Sequence, residues 1–225
     1  GIGLSFAQRL LAPIGAGSSD EELHAVLDEF LRLCHENSSD GYTGAAIESL
    51  GLVTRTFHSE LMPRVDRYLE GKDPEALGFF WHGAGRAIYF LLVNFLPYRD
   101  PIWRAVEMGR EEASSEIARA NVLAGTAWAL TLVNMRQPSV MAGFLEDHAD
   151  DLADGREAFA NGVTSSLIMR FDTSPDDEFI AKFRDFQIPA DKKRLRQNWE
   201  SLVLTPMNEG LEKFYPVLRE ERRLD

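Results

Sequence analysis

Phe79-Phe-Trp-His-Gly-Ala-Gly-Arg-Ala-Ile-Tyr-Phe90 decides how this chain is read. The segment follows Asp73-Pro74, an N-cap residue and a first-turn proline, so it belongs to a helix. Gly78, Gly83 and Gly85 fall inside that helix. Each interior glycine costs ~1 kcal/mol against alanine. Three in one helix need compensation, and close approach of a second backbone is the simplest form of it. Three other stretches look like versions of the same segment. They are Asp40-Gly-Tyr-Thr-Gly-Ala-Ala-Ile-Glu-Ser-Leu50, Ala120-Asn-Val-Leu-Ala-Gly-Thr-Ala-Trp-Ala-Leu130 and Ala158-Phe-Ala-Asn-Gly-Val-Thr-Ser-Ser-Leu-Ile168. The four centre on Gly44, Gly83, Gly125 and Gly162, spaced 39, 42 and 37 residues apart. A period of that size marks a repeat architecture, in which each unit buries its apolar face on its neighbour.

Prolines follow the same period. Pro63, Pro101, Pro138 and Pro175 are separated by 38, 37 and 37 residues. Proline suits the first turn of a helix and ends the helix before it. The unit therefore reads as a long glycine-bearing helix, a proline break and a shorter helix. The expected fold is all-α: an αα-hairpin repeat array of about four to five units of 37–42 residues, curved into a compact superhelix. One domain spans 1–225, with an N-terminal cap at 1–39, four repeats at 40–186 and a C-terminal cap at 187–225.

Local signals place the helices. Ser19 and Glu22 form a capping-box pattern, and Leu23, Val26, Leu27, Phe30, Leu31 and Cys34 follow at helical spacing. Asp40 is a candidate cap for a helix over 42–57, and a short helix follows over 63–69. The Asp73-Pro74 helix is expected to run to Leu96 and stop at Pro97. Further helices are expected from Pro101, from Ser114 or Ser115 to Val133, and over 138–147, 156–171 and 176–186. Two more are expected over 191–204 and 206–221. Strand signals are weak, and no Asn-Gly or Asp-Gly hairpin turn sits between alternating runs.

The composition is that of a globular chain, 44% apolar and 27% charged over 225 residues. The formal net charge of -12 argues against nucleic acid or an anionic membrane surface as partner, since both need basic patches. The one cysteine, Cys34, makes no intrachain disulfide and sits at a helical core position. No run of 18 apolar residues and no signal peptide is visible, so a cytoplasmic protein is expected. A homo-oligomer is compatible with this composition.

The chemistry of the second unit stands apart. His82, Arg86 and Tyr89 lie at i, i+4 and i+7, on one helix face. With the glycines aligned, the same places hold Thr43, Ile47 and Leu50 in the first unit. They hold Ala124, Trp128 and Thr131 in the third, and Asn161, Ser165 and Ile168 in the fourth. If the face looks inward, Arg86 can pair an anionic group and His82 can act as acid or base. Trp81, Trp128 and Phe80 can line an apolar pocket beside them. The bland alternatives are an inter-helix hydrogen-bond network or a solvent face for the trio and plain core for the aromatics.

Nothing in the sequence points to a metal or cofactor. The histidines are isolated, and neither His-x-x-x-His nor Cys-x-x-Cys occurs. Gly83-Ala-Gly-Arg lacks the third glycine and the preceding strand of a dinucleotide fingerprint. No phosphate loop or nucleophile elbow is present.

Gly41-Tyr-Thr-Gly-Ala-Ala46, Phe80-Trp-His-Gly-Ala-Gly-Arg-Ala-Ile-Tyr-Phe90 and Leu123-Ala-Gly-Thr-Ala-Trp-Ala129 carry a resemblance to a known family. It is a bacterial family of unassigned function associated with enediyne polyketide biosynthetic clusters. The family's members are longer and richer in glycine-alanine motifs, and it offers no catalytic residues to transfer. The resemblance implies a context, secondary metabolism, and a hydrophobic, polyene-like small molecule as ligand. The expected function is therefore an accessory protein of natural-product biosynthesis that binds such a molecule, with cofactor-free catalysis left open. The alternative is a non-catalytic helical scaffold that binds another protein.

Overall fold

The structure is a computed structural model that describes residues 1–91, 100–175 and 178–221. Among these residues it is all-helical, with no strand. The elements are α1 (Ile2–Leu11), α2 (Asp20–Asn37), α3 (Thr43–Phe57), α4 (Met62–Lys72), α5 (Pro74–Tyr89) and α6 (Pro101–Glu112). Then come α7 (Glu116–Val133), α8 (Pro138–His148), α9 (Arg156–Thr173), α10 (Glu178–Arg184), α11 (Lys193–Trp199), α12 (Thr205–Glu209) and α13 (Tyr215–Glu221).

Most start signals act as the sequence predicts. Ser19 accepts from the Glu22 N–H while the Glu22 carboxylate accepts from the Ser19 N–H, closing the capping box. Asp73 and Ser115 cap α5 and α7. Asp100 caps α6 from a left-handed backbone (φ 63), unusual for a residue other than glycine. Tyr42, not Asp40, is the residue before α3. α1 had no counterpart among the expected helices. α5 ends at Tyr89, short of Leu96, and the proposed stop at Pro97 lies outside the described residues.

The helices pack in two rows. α1, α3, α5, α7 and α9 each rest on the next; α2, α4 and α6 pack against this row, and α8 and α11 continue the second row from α6. Within the first row α5 and α7 run the same way. Gly78 stands near Asn121 at their starts, and the Asn134 amide donates to the Tyr89 hydroxyl at their ends. Buried apolar side chains form two clusters that meet along α7, one reaching Val122 and the other beginning at Val106 and Leu123.

Glycines set the spacing of the first row. A Cβ on Gly83 would run into the carbonyl oxygen of Glu48, one on Gly125 into that of His82, and one on Gly162 into that of Ala124. Each helix thus leans its glycine on the backbone of the helix before it. On α3 the matching contact does not fall at Gly44. The carbonyl met is the one just before Gly83 or Gly125, but in α3 it is Glu48, just before Ser49. Ser49, not Gly44, is the counterpart of Gly83; Gly44 abuts the Phe79 ring instead. Ser49 and Gly83 are 34 residues apart, against 39 for Gly44 and Gly83.

The C-terminal helix corrects a second expectation. α11, α12 and α13 form one uninterrupted helical run, with no break at Pro206. Two wider π turns interrupt its regularity, Glu200–Leu204 and Gly210–Phe214. Each closes with an N–H reaching back five residues, Thr205 to Glu200 and Tyr215 to Gly210, just before Pro206 and Pro216. A proline ring clashes with the carbonyl four residues back, and the wider turn moves that carbonyl aside.

Candidate functional site

The register set by the glycines brings Glu48, His82, Ala124 and Asn161 to equivalent places on α3, α5, α7 and α9. All four line one hollow of about 350 Å³ on the first row, with Arg86, Trp128 and Ser165 one turn further along. Phe79 and Met169 complete its apolar wall. The bare face of Gly83 lets the α3 backbone come in beside α5, which carries the Glu48 carboxylate to His82 and Arg86. The bare face of Gly125 does the same for α7, which carries Trp128 to Arg86. The guanidinium carbon of Arg86 lies 4.0 Å from the centre of the Trp128 ring, a cation–π distance. His82 meets the same ring edge-on at 6.5 Å.

Glu48 sits between two bases. Its Oε1 is 2.9 Å from His82 Nδ1, and its Oε2 accepts from an Arg86 guanidinium nitrogen. The His82 contact has the separation of an ion pair, yet its N–H is not aimed along it, and Nδ1 counts as buried without a hydrogen-bond partner. It is a close approach of the two groups rather than a hydrogen bond. Burial alone would raise the Glu48 carboxyl. The neighbouring His82 and the charge and hydrogen bond of Arg86 outweigh burial and hold it below the ordinary carboxylate value. Arg86 Nε is also buried with no partner among the described residues. Two donors without acceptors beside one carboxylate leave hydrogen-bonding capacity unspent.

His82, Arg86 and Trp128 therefore meet as a group; Trp81 and Tyr89 do not join them. Trp81 turns to the other side of α5, where it is 2% exposed and donates its indole N–H to Asp66 at 2.7 Å. Tyr89 is held by Asn134 beyond the hollow, and burial raises its phenol above the ordinary value. Glu48, Phe79, Asn161 and Ser165 were missed. The pair Ser49-x-Gly51 matches Gly83-x-Gly85, and that small-x-small spacing would have put Glu48 opposite His82.

A separate bridge ties α3, α9 and α13 together. Tyr42 at the start of α3 and Tyr215 of α13 both donate to Asp172 near the end of α9, the second at 2.7 Å, and Arg219 donates to the Tyr215 oxygen at 3.0 Å. Burial, then the Asp172 carboxylate, pushes the Tyr42 phenol up to about 12. Cys34 is fully buried and burial pushes its thiol up to about 12, so it is no nucleophile. Among the described residues no three His, Cys, Asp or Glu side chains gather to hold a metal, and no helix is long and apolar enough to cross a membrane.

No family model matches the chain, and neither does any curated protein or solved structure.

Proposed function

We propose that the hollow binds a compact amphipathic small molecule, its flat apolar part on Trp128, Phe79 and Met169 and its polar or anionic end toward Arg86 and His82. One observation supports this above the others: side chains from α3, α5, α7 and α9 converge on a single concavity where apolar wall and charged groups meet. That combination is the usual form of a small-molecule site. At about 350 Å³ the hollow is at the low end of the ~300–1,000 Å³ range, so the ligand is short rather than a long polyene. The same reading takes the two rows of helices as an αα-hairpin array of four to five units, curved into a superhelix with the hollow on its inner wall. An enediyne-type polyketide context rests on the motif resemblance alone.

Cinnamate, a flat conjugated carboxylate, tests the reading against its methyl ester. Titration followed by calorimetry should give the acid tighter binding, by the ~1.5–3 kcal/mol of one charge-assisted hydrogen bond. Asn161→Trp, an exposed position on the rim, should fill the hollow and abolish both. Equal binding by acid and ester, or binding undisturbed by Asn161→Trp, would remove the site and leave the scaffold reading.

A further inference from the structure

A second cavity lies across α5 from the hollow. It has a volume of about 470 Å³ and is walled by α3, α4, α5 and α6. Asp66 of α4 reaches it although only 6% of the residue is exposed. Trp81 Nε1–H and Ser114 Oγ–H both donate to one Asp66 oxygen, Oδ1, at 2.7 and 3.0 Å. The other oxygen, Oδ2, has no partner among the described residues, yet it is not among the atoms sealed from solvent. In so buried a residue that oxygen opens onto the cavity.

Among the described residues no cation pairs with the Asp66 carboxylate. The cation on the same wall, Arg55, is spent on Glu112 through two bonds of 2.7 Å. Those two charges cancel, and both donors to Asp66 are neutral. A buried carboxylate without a counter-charge is costly, and a cation arriving from outside relieves it. A hard metal ion needs six or more oxygens, and the cavity offers one uncommitted carboxylate oxygen. An organic ammonium needs one negative charge, an acceptor and an apolar bed. Met62 and Pro63 supply the bed, and the Trp81 ring adds attraction for a cation.

We propose that this cavity is a binding site for a primary amine with a small apolar or aromatic body, its ammonium on Asp66 Oδ2 and its body on Met62, Pro63 and Trp81. The site is independent of the hollow, which favours an acid. The overall charge of -12 also draws cations toward the protein.

Benzylamine, benzyl alcohol and benzoate are the probes, read by the Trp81 indole N–H resonance and by calorimetry at neutral pH. Benzylamine should shift that resonance to saturation. Benzyl alcohol should bind about tenfold or more weakly, and benzoate not at all. Asp66→Asn keeps Oδ1 as acceptor for Trp81 and Ser114 but removes the charge. It should weaken benzylamine about tenfold and leave benzyl alcohol and cinnamate unchanged. Ser59→Trp, at the exposed mouth, should block benzylamine without touching Asp66, which keeps the test open if Asp66→Asn folds poorly. Equal binding of the three probes would overturn the proposal. So would full benzylamine affinity in Asp66→Asn or Ser59→Trp.

Discussion

Trp81 and His82 are neighbours in sequence and serve opposite sides of α5, because consecutive residues on a helix point about 100° apart. Each ends at a carboxylate, Glu48 largely buried and Asp66 more so, and the two are handled differently. Glu48 is met by two bases, and its ionised form is favoured over the neutral one. Asp66 is met by an indole N–H and a hydroxyl, which satisfy an oxygen but cancel no charge. The comparison separates hydrogen-bond satisfaction from charge compensation. In the hollow, removing one partner strands a charge. In the second cavity no cation among the described residues pairs with the charge, so removing it strands nothing.

The most damaging way to break this contrast is to push α3 away from α5. Gly83→Ala adds a Cβ where the Glu48 carbonyl stands, and backbone cannot swing aside as a side chain does. We expect a loss of about 3 kcal/mol in urea unfolding, together with loss of the Glu48 contacts to His82 and Arg86. Gly143→Ala is the control. It lies inside α8 with open space around it, so alanine should be neutral or stabilise by up to ~1 kcal/mol. Equal responses would mean that the first row is not held by its glycines.

The next effect is smaller. Glu48→Gln leaves His82 and Arg86 side by side without a counter-charge and should cost about 2 kcal/mol, less than a fully buried pair because the site is partly open. Asp66→Asn should cost less than ~1 kcal/mol, since its acceptor survives. A larger loss at Asp66 would invert the comparison. The acid limb sharpens it. The folded Glu48 carboxyl lies below its ordinary value of 4.5. Its stabilisation is therefore fully present above that pH and is lost as pH falls through the folded value. Urea midpoints between pH 7 and pH 3 should fall more steeply for the wild type than for Glu48→Gln.

The sequence disclosed these features unevenly. Helix starts were legible because a cap and a first-turn proline act locally: Ser19, Asp73, Ser115 and Pro138 all mark real starts. His82 and Arg86 were legible as one face because i, i+4 spacing fixes it, and Trp128 because it sits at the aligned position of the next glycine-bearing segment. Glu48 was not, because its placement depends on which residue of α3 touches α5, and one prominent glycine, Gly44, drew the alignment five residues off. Trp81 was misplaced for a related reason: an aromatic beside a polar residue shares its sequence position but not its helix face. Pro206 misled because proline predicts a stop where local widening of the helix also suffices. The second cavity was invisible, since Arg55, Asp66, Trp81 and Glu112 come from four helices and no short motif joins them.

The smallest expected effect concerns a third cluster, which mirrors Glu48. There one carboxylate sits between two bases; here one histidine sits between two carboxylates. His148 Nε2 contacts Asp100 and Nδ1 lies 3.1 Å from Asp151, while the ring stacks on Trp103 at 4.6 Å and 5°. Arg110 lies over the other ring of the stack and donates to the Asp151 carbonyl, so a cation also faces the cluster. Burial alone would lower the His148 value, but the hydrogen bonds to Asp151 and Asp100 outweigh it and raise the imidazole above its ordinary 6.5. The sign is opposite to that of Glu48. A raised value means the stabilisation is fully present below about pH 6.5 and disappears as pH climbs through the folded value. Both carboxylates are partly exposed, 38% and 57%, so solvent screens the pair and the effect should stay below ~1 kcal/mol. Urea midpoints measured from pH 6 to pH 9 should decline in the wild type and lose that part of the decline in His148→Gln. Added salt should shrink the difference, since the charges lie near the surface. Identical pH slopes in the two proteins would show that the imidazole is held by its stacking on Trp103 and not by the charges on either side.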